Sequence, residues 1–456
     1  MARRLGTYAF TNATLLDGTE GMAPRPGTTV VVEGGRIASV GPDGQASLPA
    51  RAQVIDVAGG YLLPGLVNMH VHFIGTGTPV SSGGAGKLLG LLDSGPGRMV
   101  ARTLVKRSAQ QQLASGVTTV RGAGDPVNAD IMVRDAIDEG RYLGPRILAP
   151  GCGVTVPNGH GAGLLATVVT TPEEARQLVD AQVEAGANHI KIFVTGGVFD
   201  STVAGEAGIV RMSPEIARAA CEEAHRLGRP VMAHVESTAG VVVALEAGVD
   251  TVEHGARMTD ETIALYKGSA GTQLPGRPAS VTCTISPALP YALLDPAKTH
   301  STDVQKVNGD IVTDGIIASA RAALDAGIPV GLGTDSSCPY VTQYDMWREV
   351  AYFQKYVGVS STFALHTATQ VNAQLVGLGD ETGTIECGKS ADILVVGRDP
   401  LEDLSALRDV RHVMVRGQLA DKLKVKRMPE LDEDLGYLMA QPAEAVLEAC
   451  RADGAL

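Results

Sequence analysis

Along the middle of the chain, short apolar runs alternate with longer mixed segments, and glycine stands before run after run. Gly116 precedes the run 117–120, Gly186 precedes 189–194, Gly228 precedes 230–235, Gly248 precedes 249–253 and Gly327 precedes 328–332. A helix that ends in a left-handed residue favours glycine there, so the pattern reads helix, glycine, strand, repeated. Helix starts are marked as well. Thr171-Pro172-Glu173-Glu174 is a capping box with proline at the first helical position, and Ser213-Pro214-Glu215 repeats cap and proline. With runs at 65–73, 146–150 and 281–284 added, about eight strands alternate with helices between Gly65 and Asp335, the size and period of a (β/α)8 barrel, a TIM-like α/β fold. A doubly wound open sheet is the rival, but no Gly-x-Gly-x-x-Gly turn opens the alternation to favour it.

The flanks follow a different pattern. Short strands with Gly-rich turns are expected at 8–16, 29–33, 36–40 and 53–57, and a similar piece returns at 392–396 and 410–415. The division expected is a composite β-sandwich from 1–64 plus 383–420, a barrel at 65–382 and a C-terminal extension at 421–456, helical over 442–451.

Within this frame the candidate chemistry falls at strand ends, where a barrel carries its active site. Alternate side chains of a strand share a face, so His70 and His72 in Gly65-Leu66-Val67-Asn68-Met69-His70-Val71-His72-Phe73 point the same way. Two neutral imidazoles side by side suit a zinc-like ion. A His-x-His pair also arises by chance, so the weight falls on the rest of the chain. Lys191 lies on strand four, His234 ends strand five, His254 ends strand six and Asp335 follows strand eight. Four of the ten histidines therefore stand at strand ends, which a random scatter does not readily produce. An ammonium cannot ligate a cation; read on its own, Lys191 is a core-edge lysine paired to an acid.

Composition narrows the class. Hydrophobic residues at 44%, charged residues at 19% and 55 glycines among 456 residues describe a globular α/β chain. A net charge of −12 without a basic stripe disfavours nucleic acid, and no apolar run reaches membrane-spanning or secretory length. Six scattered cysteines without a Cys-x-x-Cys pair read as reduced thiols, so the expected location is the cytoplasm.

The arrangement resembles the amidohydrolase superfamily, and locally its prolidase-like and imidazolonepropionase-like branch. The resemblance rests on Pro64-Gly65-Leu66-Val67-Asn68-Met69-His70-Val71-His72, Ile190-Lys191-Ile192-Phe193-Val194-Thr195-Gly196-Gly197, Gly333-Thr334-Asp335-Ser336 and Gly388-Lys389-Ser390-Ala391-Asp392-Ile393. It implies two divalent metal ions, zinc by default, on His70, His72, Lys191, His234, His254 and Asp335, with Lys191 carboxylated by carbon dioxide so that its carbamate bridges the pair. The imidazolonepropionases bind one metal and lack this lysine. Asp335 is the expected catalytic group, accepting a proton from an activated water and passing it to the leaving nitrogen.

Four further residues are expected at the substrate. Arg121 at the rim of strand two would clamp a carboxylate, the alternative being a buried ion pair inside the barrel. His160 lies in Val156-Pro157-Asn158-Gly159-His160-Gly161, and prolidase-like relatives place a similar loop near the substrate. Glu236 stands where those relatives often have tyrosine; it favours a cationic substrate or else caps the following helix. Tyr340, with Cys338 and Pro339, would line the pocket past Asp335, and the Gly-, Ser- and Pro-rich segment 75–97 would serve as a lid or specificity loop.

The expected protein is a metal-dependent hydrolase of a C–N amide bond in a small molecule such as a dipeptide, N-acyl amino acid or cyclic amide, assembled as a homo-oligomer. The same site could cut an ester, lactone or organophosphate, or act with one metal as an imidazolonepropionase-like or deaminase-like enzyme. A non-catalytic barrel scaffold would have no need of all six ligands.

Overall fold

Eight short strands line a barrel, seven of them buried along their whole length, as parallel strands covered by helices must be. They are Leu66–Val71, Val117–Gly122, Arg146–Leu148, Ile190–Phe193, Val231–Val235, Thr251–His254, Ser280–Cys283 and Val330–Leu332. The computed structural model describes residues 6–45, 47–79, 92, 94–268, 270–274, 276 and 278–453. The segment 75–97 lies largely outside them. No helix among the described residues is long and apolar enough to cross a membrane.

The ladder is parallel from the fourth strand through the eighth, and again through the first three. Two seams join these arcs. At one, Val71 bridges Ser336, the His72 amide donates to the Ser336 carbonyl at 3.1 Å, and the Asp335 amide donates to the His70 carbonyl at 2.8 Å. At the other, the third strand breaks at Pro150-Gly151, where Gly151 has φ 72°, and resumes as Gly153–Thr155 to pair with the fourth. Proline has no amide hydrogen to continue a ladder, so the break falls where the chemistry of the chain requires.

The five glycines read as helix terminators all have positive φ, from 68° at Gly228 to 107° at Gly248. Thr171 and Ser213 cap their helices by accepting from the Glu174 and Ile216 amides. The Glu174 carboxylate turns to Thr170 instead of closing the box on Thr171.

Both chain ends meet in one hydrogen-bonded sheet of eight strands. Tyr61–Pro64, a strand the sequence runs do not mark, pairs antiparallel with Ile393–Val396 and leads straight into the first barrel strand. Phe10, Leu15, Val30, Leu62, Ile393 and Met414 share a core separate from that of the barrel. The alternate residues Leu63, Leu394, Val396, Val413 and Val415 join the barrel core instead. Period-2 alternation thus lets one sheet serve two cores. Toward the C-terminus lie the helices Pro429–Ala440 and Ala443–Asp453, the first of which the sequence patterns do not foretell. Its Leu431, Leu435 and Leu438 pack with Leu294 and Tyr340.

Candidate metal centre

Two groups of ligand-type atoms converge at the C-terminal mouth of the barrel. His70, His72 and Asp335 form one, and His234, Glu236 and His254 the other, with the ligand atoms of each group within 4.8 Å of one another. The groups adjoin: the His70 and His254 rings lie 5.0 Å apart between centroids, and those of His254 and His234 4.6 Å.

Backbone geometry assembles them. Regular alternation would send Glu253 and His254 to opposite faces of their strand. His254 has φ 70°, and this left-handed turn lets both enter the barrel interior, where Glu253 bonds His70 and His254 packs beside it. Asp335, at φ 57°, is likewise turned out of the line of its strand. Such conformations are uncommon for non-glycine residues and cluster at functional sites.

Hydrogen bonds aim each imidazole. His72 Nδ1 donates to the Gly124 carbonyl at 2.6 Å and His70 Nδ1 to Glu253 at 2.7 Å, which leaves both Nε2 atoms toward Asp335 Oδ1, each 3.4 Å away. His254 Nδ1 meets the Thr284 hydroxyl at 2.7 Å, and His234 Nε2 donates to the Gly196 carbonyl at 3.0 Å, which frees Nδ1 in that ring. Fixing one nitrogen in this way presents the lone pair of the other. Burial pushes the pKa of all four histidines down, to about 4 for His254, so they stay neutral at physiological pH. Burial opposes ionisation of Asp335, yet the surrounding His70, His72, His254 and Lys191 hold its carboxyl below the usual range.

Lys191 lies among these groups, 1% exposed, with an Nζ that has no hydrogen-bond partner among the described residues and stands 4.9 Å from the centroid of the Phe193 ring. Burial pulls its pKa down to about 8. Asp335 Oδ1 and Glu236 Oε2 are also buried without a hydrogen-bond partner. Buried polar atoms are mostly satisfied, so two orphaned carboxylate oxygens among neutral imidazoles fit divalent cations better than a closed protein core.

His160 is drawn to the same place. Its ring stacks on His234 at 4.2 Å and 5°, with Nδ1 held by Asp200. Glu236 does not cap the following helix; Ser237 does, accepting from the Gly240 amide. Glu236 also lines a cavity of about 730 Å³ with Glu206, Ile209, Thr238, Arg257 and Arg451.

Two expected substrate residues lie elsewhere. Arg121 points into the barrel instead of standing at its rim, donating to the Met69 carbonyl, the Thr251 and Thr282 hydroxyls and Glu253 at 2.7–2.9 Å. A buried guanidinium needs a buried carboxylate, and Glu253 is the one within reach. Tyr340 is engaged elsewhere: it donates to the Lys298 carbonyl at 2.9 Å and packs with Leu431, Leu435 and Leu438 in a small apolar cluster of its own. Glu253 itself is the residue that sequence reading left without a role. Its position next to His254 was visible; the backbone turn that makes both face inward was not.

The amidohydrolase family profile matches residues 61–420. The fold matches the crystal structure of a putative prolidase from Bifidobacterium longum at a TM-score of 0.85 and 38% identity, covering 96% of this chain and 100% of that one. It also matches a Xaa-Pro dipeptidase with bound methionine in its active site, at a TM-score of 0.77 and 28% identity over 91% of this chain and 99% of that one. The ochratoxinase of Aspergillus niger is 26% identical over 389 residues, 78% of this chain and 75% of the relative. The chain belongs to the amidohydrolase family, and is a metal-dependent hydrolase of carbon–nitrogen bonds.

Proposed function

We propose that this enzyme cleaves the amide bond of a dipeptide, an N-acyl amino acid or a cyclic amide with two divalent cations, zinc by default. One would be held by His70, His72 and Asp335, the other by His234 and His254, with carboxylated Lys191 between them. The observation that carries this reading is the amine of Lys191, buried and without a hydrogen-bond partner among five candidate ligands. An ammonium there would repel both cations, whereas its carbamate would supply the negative charge that four neutral imidazoles and one carboxylate leave short.

Bound there, the cations would polarise the amide carbonyl and lower the pKa of the attacking water toward neutrality. The chain supplies the rest. The Asp335 carboxylate takes the proton of the attacking water and delivers it to the leaving nitrogen, which departs as a neutral amine. His160, fixed by Asp200 and stacked on His234, lies where it can touch the bound substrate. Glu236 brings a carboxylate to the same space and favours substrates with a protonated amine. The similarity to a prolidase and a Xaa-Pro dipeptidase supports a dipeptide-like substrate.

The test is metal content per chain after purification with bicarbonate and zinc, beside Lys191→Ala, followed by dipeptides, N-acyl amino acids and lactones as substrates. About two zinc ions per chain, falling sharply in the variant, with amide turnover, is the expected result. One zinc in both proteins, or lactone turnover without amide turnover, would overturn the proposal.

A further inference from the structure

Arg121 crosses the barrel interior below the candidate ligands. Its guanidinium meets the first strand at the Met69 carbonyl (2.7 Å), the sixth at Thr251 Oγ1 (2.8 Å) and Glu253 Oε1 (2.8 Å), and the seventh at Thr282 Oγ1 (2.9 Å). Glu253 is fully buried and uses both carboxylate oxygens: Oε1 accepts from Arg121 and from Thr251 Oγ1 at 2.8 Å, and Oε2 accepts from His70 Nδ1 at 2.7 Å. A guanidinium has donors only and an ionised carboxylate has acceptors only, so Arg121 and His70 both donate into Glu253. The hydrogen of His70 is thereby fixed on Nδ1 and its lone pair on Nε2, the nitrogen that faces Asp335.

We propose that Arg121 and Glu253 are a positioning pair for His70, setting the tautomer and ring orientation with which it enters the His70, His72 and Asp335 group. The inference rests on the two-cation reading for its functional consequence, but the tautomer it requires exists with or without a cation.

Because both neighbours donate to Glu253, an isosteric change is informative. In Glu253→Gln the side chain offers one oxygen and one amide NH2. The charged donor Arg121 claims the oxygen, so the NH2 faces His70 Nδ1 and must donate to it. His70 then carries its hydrogen on Nε2 and has no lone pair to offer. Removing the guanidinium as well, in Arg121→Met with Glu253→Gln, lets the amide turn its oxygen back to His70 Nδ1 and restores the original tautomer.

The primary readout is histidine-selective 15N spectroscopy of the metal-free protein, with His70→Ala to assign the resonance. His70 is expected as the Nδ1–H tautomer in the wild type and as Nε2–H in Glu253→Gln. Zinc binding by chelator competition is the second readout. Glu253→Gln is expected to weaken one of the two zinc ions by about ten- to a hundredfold and leave the other unchanged, with partial recovery in the double variant. An unchanged tautomer in Glu253→Gln would overturn the inference, and so would equal weakening of both ions or a double variant that binds zinc worse than the single one. If the double variant does not fold, the tautomer in the single variant decides. A wild type that binds no zinc while His70 shows the expected tautomer switch would refute the two-cation reading and leave the positioning pair standing.

Discussion

Lys191→Met should stabilise the metal-free protein and destabilise the metal-loaded one. In the folded chain the amine releases its proton near pH 8; in the unfolded chain it keeps it to its ordinary 10.5. Between those values the unfolded state binds more protons, so stability rises with pH across the window, and below pH 8 the full cost of the buried ammonium is present. At 1.36 kcal/mol per factor of ten, that cost is about 3 kcal/mol at pH 7. Methionine fills the space beside Phe193 without a charge. Melting of a 456-residue chain carries about 1 kcal/mol per degree, so the variant should melt about 3 °C higher in chelator. The advantage should shrink above pH 8 and vanish by about pH 10.5. With zinc and bicarbonate the order should reverse, because cations that bind only the folded state stabilise the wild type. Calorimetry of both proteins, with chelator and with zinc, is the assay. A variant that melts at or below the wild type in chelator refutes the reading of Lys191 as a buried amine without a partner.

Three further outcomes follow from the site. Asp335→Asn should keep most of the bound zinc on the two histidine pairs and lower kcat by about a hundred- to ten-thousandfold; turnover close to wild type would remove Asp335 from the proton path. Reactivation of metal-free enzyme by zinc at fixed dissolved carbon dioxide should speed up about tenfold per pH unit below pH 8 and level off above it, since only the neutral amine of Lys191 reacts; a flat stopped-flow profile speaks against the carbamate. A Cβ at Gly197 would sit 2.8 Å from the His160 ring, so Gly197→Ala should unstack His160 from His234 and lower turnover with zinc content unchanged; unaltered kinetics would place His160 outside the reaction.

The barrel was legible because its signals are local. The five glycines read as helix terminators take left-handed conformations, and Thr171 and Ser213 cap as their neighbours suggest. The candidate ligand histidines could be picked out because a strand end is also where a barrel keeps its chemistry, and the structure brings them together. What escaped was set by long-range pairing or by side-chain direction. Tyr61–Pro64 is a four-residue run that pairs along its length with a strand more than three hundred positions away. Arg121 reads as a rim residue until Glu253 is seen inside the barrel to receive it. Tyr340 could have faced the pocket, but a helix at the far end of the chain covers it on the other side. In each case the deciding partner was distant in sequence, and local pattern carries no record of it.

The pairing of Tyr61–Pro64 with Ile393–Val396 also bears on how the protein is made. During synthesis the strand that introduces the barrel emerges early, while the strand that completes its hydrogen bonding emerges only after every barrel strand has left the ribosome. Until then the nascent chain carries an open strand edge and the apolar side chains of two unfinished cores. Contacts this far apart in sequence form slowly, and unpaired edges invite association. Translation pausing, crowding or early termination before residue 393 should therefore be costly to the yield of this protein, even though every barrel strand has by then been made.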